Sequence, residues 1–487
     1  MKRLRLIVPR YPYFNIYSAS PMPPLGLVSV GTVVSRTGRY AVEIIDENNY
    51  RGPLDHRRLQ EDRPADVVGI YGGLTSTVLR AYELACCYRG MGVPTLAGGA
   101  HVIALPEEAV SRGVDVVVLG EGEETVLEVL EALEAGRSPA GIPGLAYLEG
   151  KAIRRTAPRP PIADLDALPT PDFSLLVNPR RRLRFVPVGR TRGCNFHCEF
   201  CAVHRQFGPT RWASPERTFE QVRNLWGQGH RFFFVIDDNF AQDRRGTVTL
   251  LRSIIGWREA MQARRQPRFT IQARSEVGRD LELLRLMQRA GVTSICIGLE
   301  SPIDEDLRAM RKGRSAADME ADLANLHRHG FYIHGMFIFG YPQTEDSSTG
   351  SRLTARQRAD RYLDFTRRTR LDTIQVMTAV PLPGTDLARR LSEAGRIYPL
   401  DEVGWDKYDG NWVVFEPDGG TSAAALQEEA TRIMREFYRA RVQRGHVGAP
   451  YRDLALLYGQ PAPEAGNAVG SAATQGDRRH RGGADDA

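Results

Sequence analysis

Lysine is nearly absent from this chain of 487 residues: only Lys2, Lys151, Lys312 and Lys407 stand among 65 basic ones. Arginine supplies the rest and is scattered, so the formal charge of +6 comes without the basic stripe that nucleic-acid binding requires. The densest group, Arg180-Arg181-Arg182 with Arg184, reads as a solvated face. Long apolar runs are missing too. Nothing approaches the roughly 18 residues of a membrane span, and Leu6-Ile7-Val8 behind the basic start halts at Pro9, short of a signal h-region. Cysteine is scarce, with six residues. Cys86, Cys87 and Cys296 lie in apolar patterns and read as buried thiols, not as a disulfide framework. No Gly-x-Gly-x-x-Gly follows the first apolar run, so a dinucleotide site is not supported. These absences leave a soluble cytoplasmic protein without a nucleic-acid partner or an integral membrane segment, long enough for two or three domains.

What is present centres on residues 191–201, Thr-Arg-Gly-Cys-Asn-Phe-His-Cys-Glu-Phe-Cys. Cys194, Cys198 and Cys201 form a Cys-x3-Cys-x2-Cys pattern after the apolar run 183–188, as a loop follows a strand. Three thiolates at this spacing suit a [4Fe–4S] cube, whose fourth iron stays open to a small molecule. Gly193 fits a loop that wraps closely round an inorganic core, and Phe200 would shield it from water. The alternative is a zinc knot with His197 or His204 as fourth ligand, although the second Cys-x2-Cys arm that such knots use is missing.

Around this loop, apolar runs alternate with helical patterns. Residues 4–8, 42–45, 67–71, 95–97 and 114–119 read as strands, with helices at 26–35, 77–90, 106–112 and 124–133. Alternation of this kind means parallel βαβ units and a doubly wound α/β sheet. Glycines cluster after the third, fourth and fifth strands, at the carboxyl ends where such sheets bind ligands. A Pro-rich linker with a hairpin at 144–154 runs through 136–179. Six further strands end at 188, 236, 272, 299, 339 and 378, with polar residues at their ends as in barrel active sites. A segment at 396–458 includes a helix at 422–441, and the Ala/Gly/Asp-rich stretch 459–487 is expected to be disordered.

The cluster segment resembles that of radical S-adenosylmethionine (SAM) enzymes. The first half resembles the cobalamin-binding domain fused in front of many of them, on Pro23-Pro24-Leu25-Gly26-Leu27, Gly98-Gly99-Ala100-His101-Val102, Pro106-Glu107-Glu108-Ala109 and the run 117–123. The resemblance implies a cobalamin domain over 1–135 and a partial (β/α)6 core over 180–395, with a substrate-closing segment behind. It implies cobalamin contacts at Leu25, Gly26, Gly72, Gly73, Gly98, Gly99, His101, Gly120, Glu121 and Gly122. It implies SAM contacts at Phe200, Asp237, Asp238, Asn239, Arg274, Ser275, Glu300, Ser301 and Gly340, and substrate contacts at Trp405 and Tyr408. One departure stands out: the Asp-x-His-x-x-Gly that ligates cobalt in classical carriers is missing, since the first histidine is His56.

The activity implied is a cobalamin-dependent radical methyltransferase acting on an unactivated carbon of a small molecule or lipid. One SAM gives its methyl group to cobalamin; a second is split by an electron from a flavodoxin- or ferredoxin-type donor, and the 5′-deoxyadenosyl radical activates the substrate. Radical cyclisation or rearrangement on the same cofactors is the alternative. A methylthiotransferase would need a second cysteine set in its first domain, and a non-catalytic iron–sulfur protein is the remaining class.

Overall fold

The computed structural model describes residues 1–13, 22–344 and 353–443; the expected disordered stretch 459–487 lies outside them. Two parallel sheets organise the chain. The first contains β1 (Lys2–Val8), β2 (Tyr40–Asp46), β3 (Val67–Tyr71), β4 (Thr95–Gly98), β5 (Val116–Val118), β6 (Leu145–Glu149) and β7 (Ala152–Arg155), in the order β2-β1-β3-β4-β5-β6-β7. The first five are parallel. Strands covered on both faces are built from continuous apolar runs, and Leu4, Ile7, Ile44, Val68 and Val117 are all completely buried. The one buried charge of β1, Arg5, is held by Glu43 at 2.5 Å, Gln60 at 2.9 Å and the Tyr88 hydroxyl at 3.1 Å, as a buried guanidinium requires.

Strand order reverses between β1 and β3, and ligands of open α/β sheets sit at such switch points, outside the carboxyl strand ends. Helix α1 (Leu25–Arg36) follows β1 on one side, and α2 (Gly122–Glu134) leaves β5 beside it. The hairpin β6–β7, expected in the linker, instead pairs antiparallel with β5 and carries the sheet to Arg155. Its Leu145 and Ala146, which point to opposite faces of the sheet, are both fully buried, so the edge of β5 is covered rather than exposed. Two short helices were not evident from the sequence, His56–Asp62 and Ala100–Ala104. Cys86 is exposed and its thiol faces the Arg112 carbonyl; of the three cysteines outside the cluster loop only Cys296 is buried.

The second sheet holds β8 (Val186–Val188), β11 (Phe232–Val235), β12 (Arg268–Arg274), β13 (Val292–Glu300), β14 (Tyr332–Phe339) and β15 (Thr373–Thr378). Each pairs in parallel with the next in sequence, which is the expected six-stranded partial barrel. A two-residue ribbon lies between β8 and β11, β9 (Thr191–Arg192) against β10 (Arg211–Trp212). At the far edge, α3 (Ala423–Gln443) packs on β15, where the Tyr438 hydroxyl donates to the Ile374 carbonyl at 2.6 Å.

Candidate functional site

The cluster loop leaves β8 through Gly189-Arg190 and is tied down before its first cysteine. Asp237, at the end of β11, accepts the Arg190 and Thr191 amides at 2.7 and 2.9 Å and the Thr191 hydroxyl at 2.9 Å. Gly193 takes φ +95°, and a Cβ there would sit 3.2 Å from the Thr210 Cα, so this turn needs glycine. Gln242 then grips both sides of Cys194, donating to the Gly193 carbonyl and accepting the Asn195 amide.

Between the second and third cysteines, Glu199 is 2% exposed. Arg390 donates to its two oxygens at 2.7 and 2.9 Å and the Tyr341 hydroxyl at 2.7 Å. A bidentate guanidinium pair of this kind fixes direction as well as charge. The Tyr341 ring meets Phe200 edge-on at 6.3 Å, so Phe200 packs against the loop after β14. This clamp was not apparent from the sequence; its one signal was a carboxylate between two cysteines.

The three thiols stand near one another, Cys194 and Cys198 both acting electrostatically on Cys201. Burial pushes the Cys201 thiol up to about 12 and raises that of Cys194, with the Asp238 charge adding to both. Among the described residues no group of three His, Cys, Asp or Glu side chains is arranged to hold a single metal ion, the cysteine trio included. Arg274 lies beside the trio, its Nη1 3.8 Å from the Cys198 Sγ and its guanidinium 3.8 Å over the Phe196 ring.

The residues expected around SAM fall into two groups. Asp237 is consumed by the loop amides, and Ser301 by Asp306 at 2.8 Å and Tyr362 at 3.0 Å. Gly340, at φ +72°, lies under Leu426 of α3, where a Cβ would come within 2.8 Å of a methyl. Those three shape the barrel mouth. Asn239 accepts the Arg274 amide, and Ser275 is buried beside it. Glu300 takes φ +64°, an uncommon backbone for a residue with a side chain, and pairs with the buried Lys312 at 2.7 Å. Asp238 alone of the set lines the cavity described next. Burial, with Asp237 adjoining, pushes its carboxyl up to about 7.

That cavity, about 490 Å³, opens between the two sheets. Leu25, Gly26, Gly98, Gly99, Gly120, Glu121 and Gly122 line it from the first half, and Gly189, Arg190, Thr191, Arg192, Ile236 and Asp238 from the second. The linker is more than a spacer here, because Leu165, Leu168, Pro169 and Pro171 form part of the wall. Gly26 and Gly120 have no atom within 4 Å of a would-be Cβ, so bare backbone borders the cavity as a closely held cofactor needs. Gly72, Gly73 and His101 do not reach it. A Cβ on Gly99 would strike the Gly73 amide at 2.5 Å, and one on Gly72 the Val102 side chain, so these glycines allow the backbone to pack on itself. His101 is 2% exposed, contacts Thr75 at 3.2 Å and meets Trp405 edge-on at 4.9 Å. Trp405 in turn donates to Glu108 and packs on Tyr408, itself 4% exposed. Trp405 and Tyr408, expected as substrate contacts, therefore pack the C-terminal segment onto the first half.

Family models match the two halves separately. The model of the B12 binding domain matches residues 14–130, and that of the radical SAM superfamily residues 188–349. The chain belongs to the B12-binding radical SAM enzymes. A Pyrococcus horikoshii protein named as an uncharacterized methyltransferase is 28% identical over 90% of this chain and 92% of its own. The bacteriochlorophyllide d C-12(1)-methyltransferase of Chlorobaculum tepidum is 26% identical, covering 85% and 82%. A radical SAM methyltransferase from Kitasatospora setae, solved with cobalamin and a [4Fe–4S] cluster, shares the fold at TM-score 0.67 and 20% identity over 88% and 85%. The cofactors of such an enzyme are cobalamin, a [4Fe–4S] cluster and SAM. The residues present fit them: three unpaired-by-disulfide thiols on a clamped loop, and a glycine-bordered cavity at the carboxyl ends of the first sheet.

Proposed function

We propose that this chain is a cobalamin-dependent radical SAM methyltransferase that methylates an unactivated carbon of a small-molecule or lipid substrate. The observation that carries the reading is the single cavity bordered by Gly98, Gly99, Gly120 and Gly122 of one domain and by Asp238 and Gly189 to Arg192, the last of these just ahead of Cys194, of the other. A cavity shared in this way supports holding both cofactors around one substrate carbon. The names of the two curated relatives supply the methyl transfer. When bound, SAM on the cluster supplies a radical and cobalamin carries the methyl group.

The chain's share is to hold, orient and exclude water. Cys194, Cys198 and Cys201 hold the cluster, and Glu199 with Arg390 and Tyr341 keeps their loop in place. Asp238, balanced near neutrality, is suited to hydrogen-bond a cationic group at the barrel mouth. Gly26, Gly98 and Gly120 leave room for a broad, flat cofactor. The division into 1–135, 136–179, 180–395, 396–458 and 459–487, the cytoplasmic location and a flavodoxin- or ferredoxin-type donor belong to the same proposal.

The test is anaerobic reconstitution with iron, sulfide and hydroxocobalamin, followed by dithionite and SAM. Bound cobalt, 5′-deoxyadenosine and S-adenosylhomocysteine are expected together, and Cys198→Ala should lose the deoxyadenosine while keeping cobalt. Deoxyadenosine and cobalt without S-adenosylhomocysteine would overturn methyl transfer in favour of radical cyclisation or rearrangement.

A further inference from the structure

Two motifs that the sequence assigns to different cofactors are spent largely on each other. Arg192, next to the first cluster turn, donates to Glu121 at 2.6 Å and to Glu123 at 2.5 Å. Glu121 takes a second guanidinium, Arg211 of β10, at 2.8 Å, and also the Ile162 amide of the linker at 2.6 Å. Arg211 returns to the Ile162 carbonyl at 2.5 Å, and Glu123 accepts the Ser29 hydroxyl of α1 at 2.8 Å. The side chains of Glu121, Glu123, Arg192 and Arg211 are 8%, 3%, 19% and 14% exposed. Two positive and two negative groups thus close a balanced, largely dry bridge. It joins the β5–α2 turn, the linker and the cluster loop at one point.

Buried ion pairs contribute little to stability against an apolar substitute; their best-attested use is to fix one arrangement over others. Here the arrangement fixed is that of the two domains. Arg192 lies two residues from Cys194, and Glu121 lies in the glycine run that borders the cavity, so both ends of the bridge abut cofactor-holding backbone.

We propose that Glu121, Glu123, Arg192 and Arg211 are positioning residues that lock the cobalamin-binding domain to the cluster loop, so that cluster and cobalamin keep one fixed separation. The two acidic residues of the Gly120-Glu121-Gly122-Glu123 run then serve domain registration rather than cobalamin itself. This rests on the two-cofactor reading above, and the experiment has one arm that does not.

The first arm uses the full chain before any cofactor is added. Hydrogen exchange is followed at residues 118–124 and 189–193 in wild type, Glu123→Gln, Arg192→Met and Arg192→Lys. Arg192→Met should speed exchange of both segments together by tenfold or more, with Arg192→Lys recovering part of the protection and Glu123→Gln lying between. Acceleration of only one segment, or of neither, would overturn the proposal. Should Arg192→Met fold poorly, Glu123→Gln and Arg192→Lys carry the same comparison.

The second arm reconstitutes the same proteins with iron, sulfide and hydroxocobalamin and reduces them so that cobalt and cluster are both paramagnetic. Enhanced spin relaxation of the cobalt signal by the cluster should follow one well-defined separation in wild type. In Glu123→Gln and Arg192→Lys it should weaken at least threefold, with cobalt and iron contents within twofold of wild type. A tenfold loss of cobalt binding in Glu123→Gln with wild-type exchange at both segments would make Glu123 a direct cobalamin contact and sink the positioning role. A wild-type protein that binds no cobalt defeats the two-cofactor reading, while the exchange arm still decides the bridge.

Discussion

The two halves build the ends of their strands in opposite ways. In the first sheet glycines stand at the ends of β4 and β5 and at the start of α1, and the site is made of backbone left bare: Gly26, Gly98 and Gly120 meet nothing within 3.8 Å where a side chain would begin. In the second sheet the strand ends carry acids and hydroxyls, and nearly all are spoken for. Asp237 is bound to loop amides, Ser301 to Asp306 and Tyr362, and Glu300 to Lys312. A broad cofactor held over a large area needs room and shape, which small residues provide. A loop that must present three thiols in one geometry needs rigidity, which paired polar groups provide. Polar residues at barrel strand ends therefore include both direct contacts and the scaffold that aims them, and the residue types alone do not separate the two.

The sharpest way to break this comparison is to cut the scaffold of the second half. Arg390→Met leaves the Glu199 carboxylate buried without its cation, a change that costs about 3–5 kcal/mol in comparable buried pairs. Iron per chain after reconstitution should fall severalfold, and a chelator should strip what remains faster than from wild type. Cobalt binding should hold. If iron content and retention stay at the wild-type level, the clamp is not what positions the cluster loop.

A second test asks where the halves should agree. Burial pushes His101 in the first and His334 in the second down from 6.5 to about 4. Both are neutral in the folded chain, while the unfolded chain takes up their protons below about pH 6.5. The unfolded state thus binds more protons in that window, and stability falls as pH drops from 6.5 towards 4. Each group accounts for about 3 kcal/mol over the full span. The urea midpoint of wild type relative to His334→Gln should narrow on going from pH 7 to pH 5, and the same holds for His101→Gln. A difference independent of pH would mean that neither ring stays neutral.

Much of this was open to reading from local pattern. The three cysteines share one turn of eight residues, 194–201, and all six strands of the partial barrel end in punctuated apolar runs, so both were legible. The hairpin was visible as a hairpin, but not as part of the first sheet, because pairing with β5 depends on an edge that only the assembled sheet presents. The clamp and the bridge were invisible for a related reason: Glu199 and Arg390 are 191 positions apart, and Arg192 and Glu121 are 71 apart. Trp405 and Tyr408 were legible as an aromatic pair with no indication of which surface they cover. That surface is the His101 region of the other half.

The glycine side of the comparison is sharpened by filling it. Gly120→Val places a branched side chain where no neighbour stands, so the fold should tolerate it and the thermal midpoint should shift little. Overfilling a packed cofactor contact costs about 1–3 kcal/mol, which is a five- to 150-fold loss of hydroxocobalamin affinity, with iron content unchanged. Unaltered cobalt binding would show that the cofactor does not approach this strand end.

The smallest effect is expected where the halves meet at Trp405. Its indole donates to the Glu108 carboxylate at 2.9 Å while the ring packs on His101 and Tyr408. Trp405→Phe keeps most of the ring and deletes the donor, and Glu108 is only partly buried, so water can replace the lost bond. The cost should be about 1 kcal/mol, seen as a small drop in the urea midpoint. Formation of 5′-deoxyadenosine, which needs only cluster and SAM, should match wild type. The sealing role assigned to Trp405 fails if the midpoint holds steady while that nucleoside falls tenfold. The indole would then serve the reaction rather than the joint between the halves.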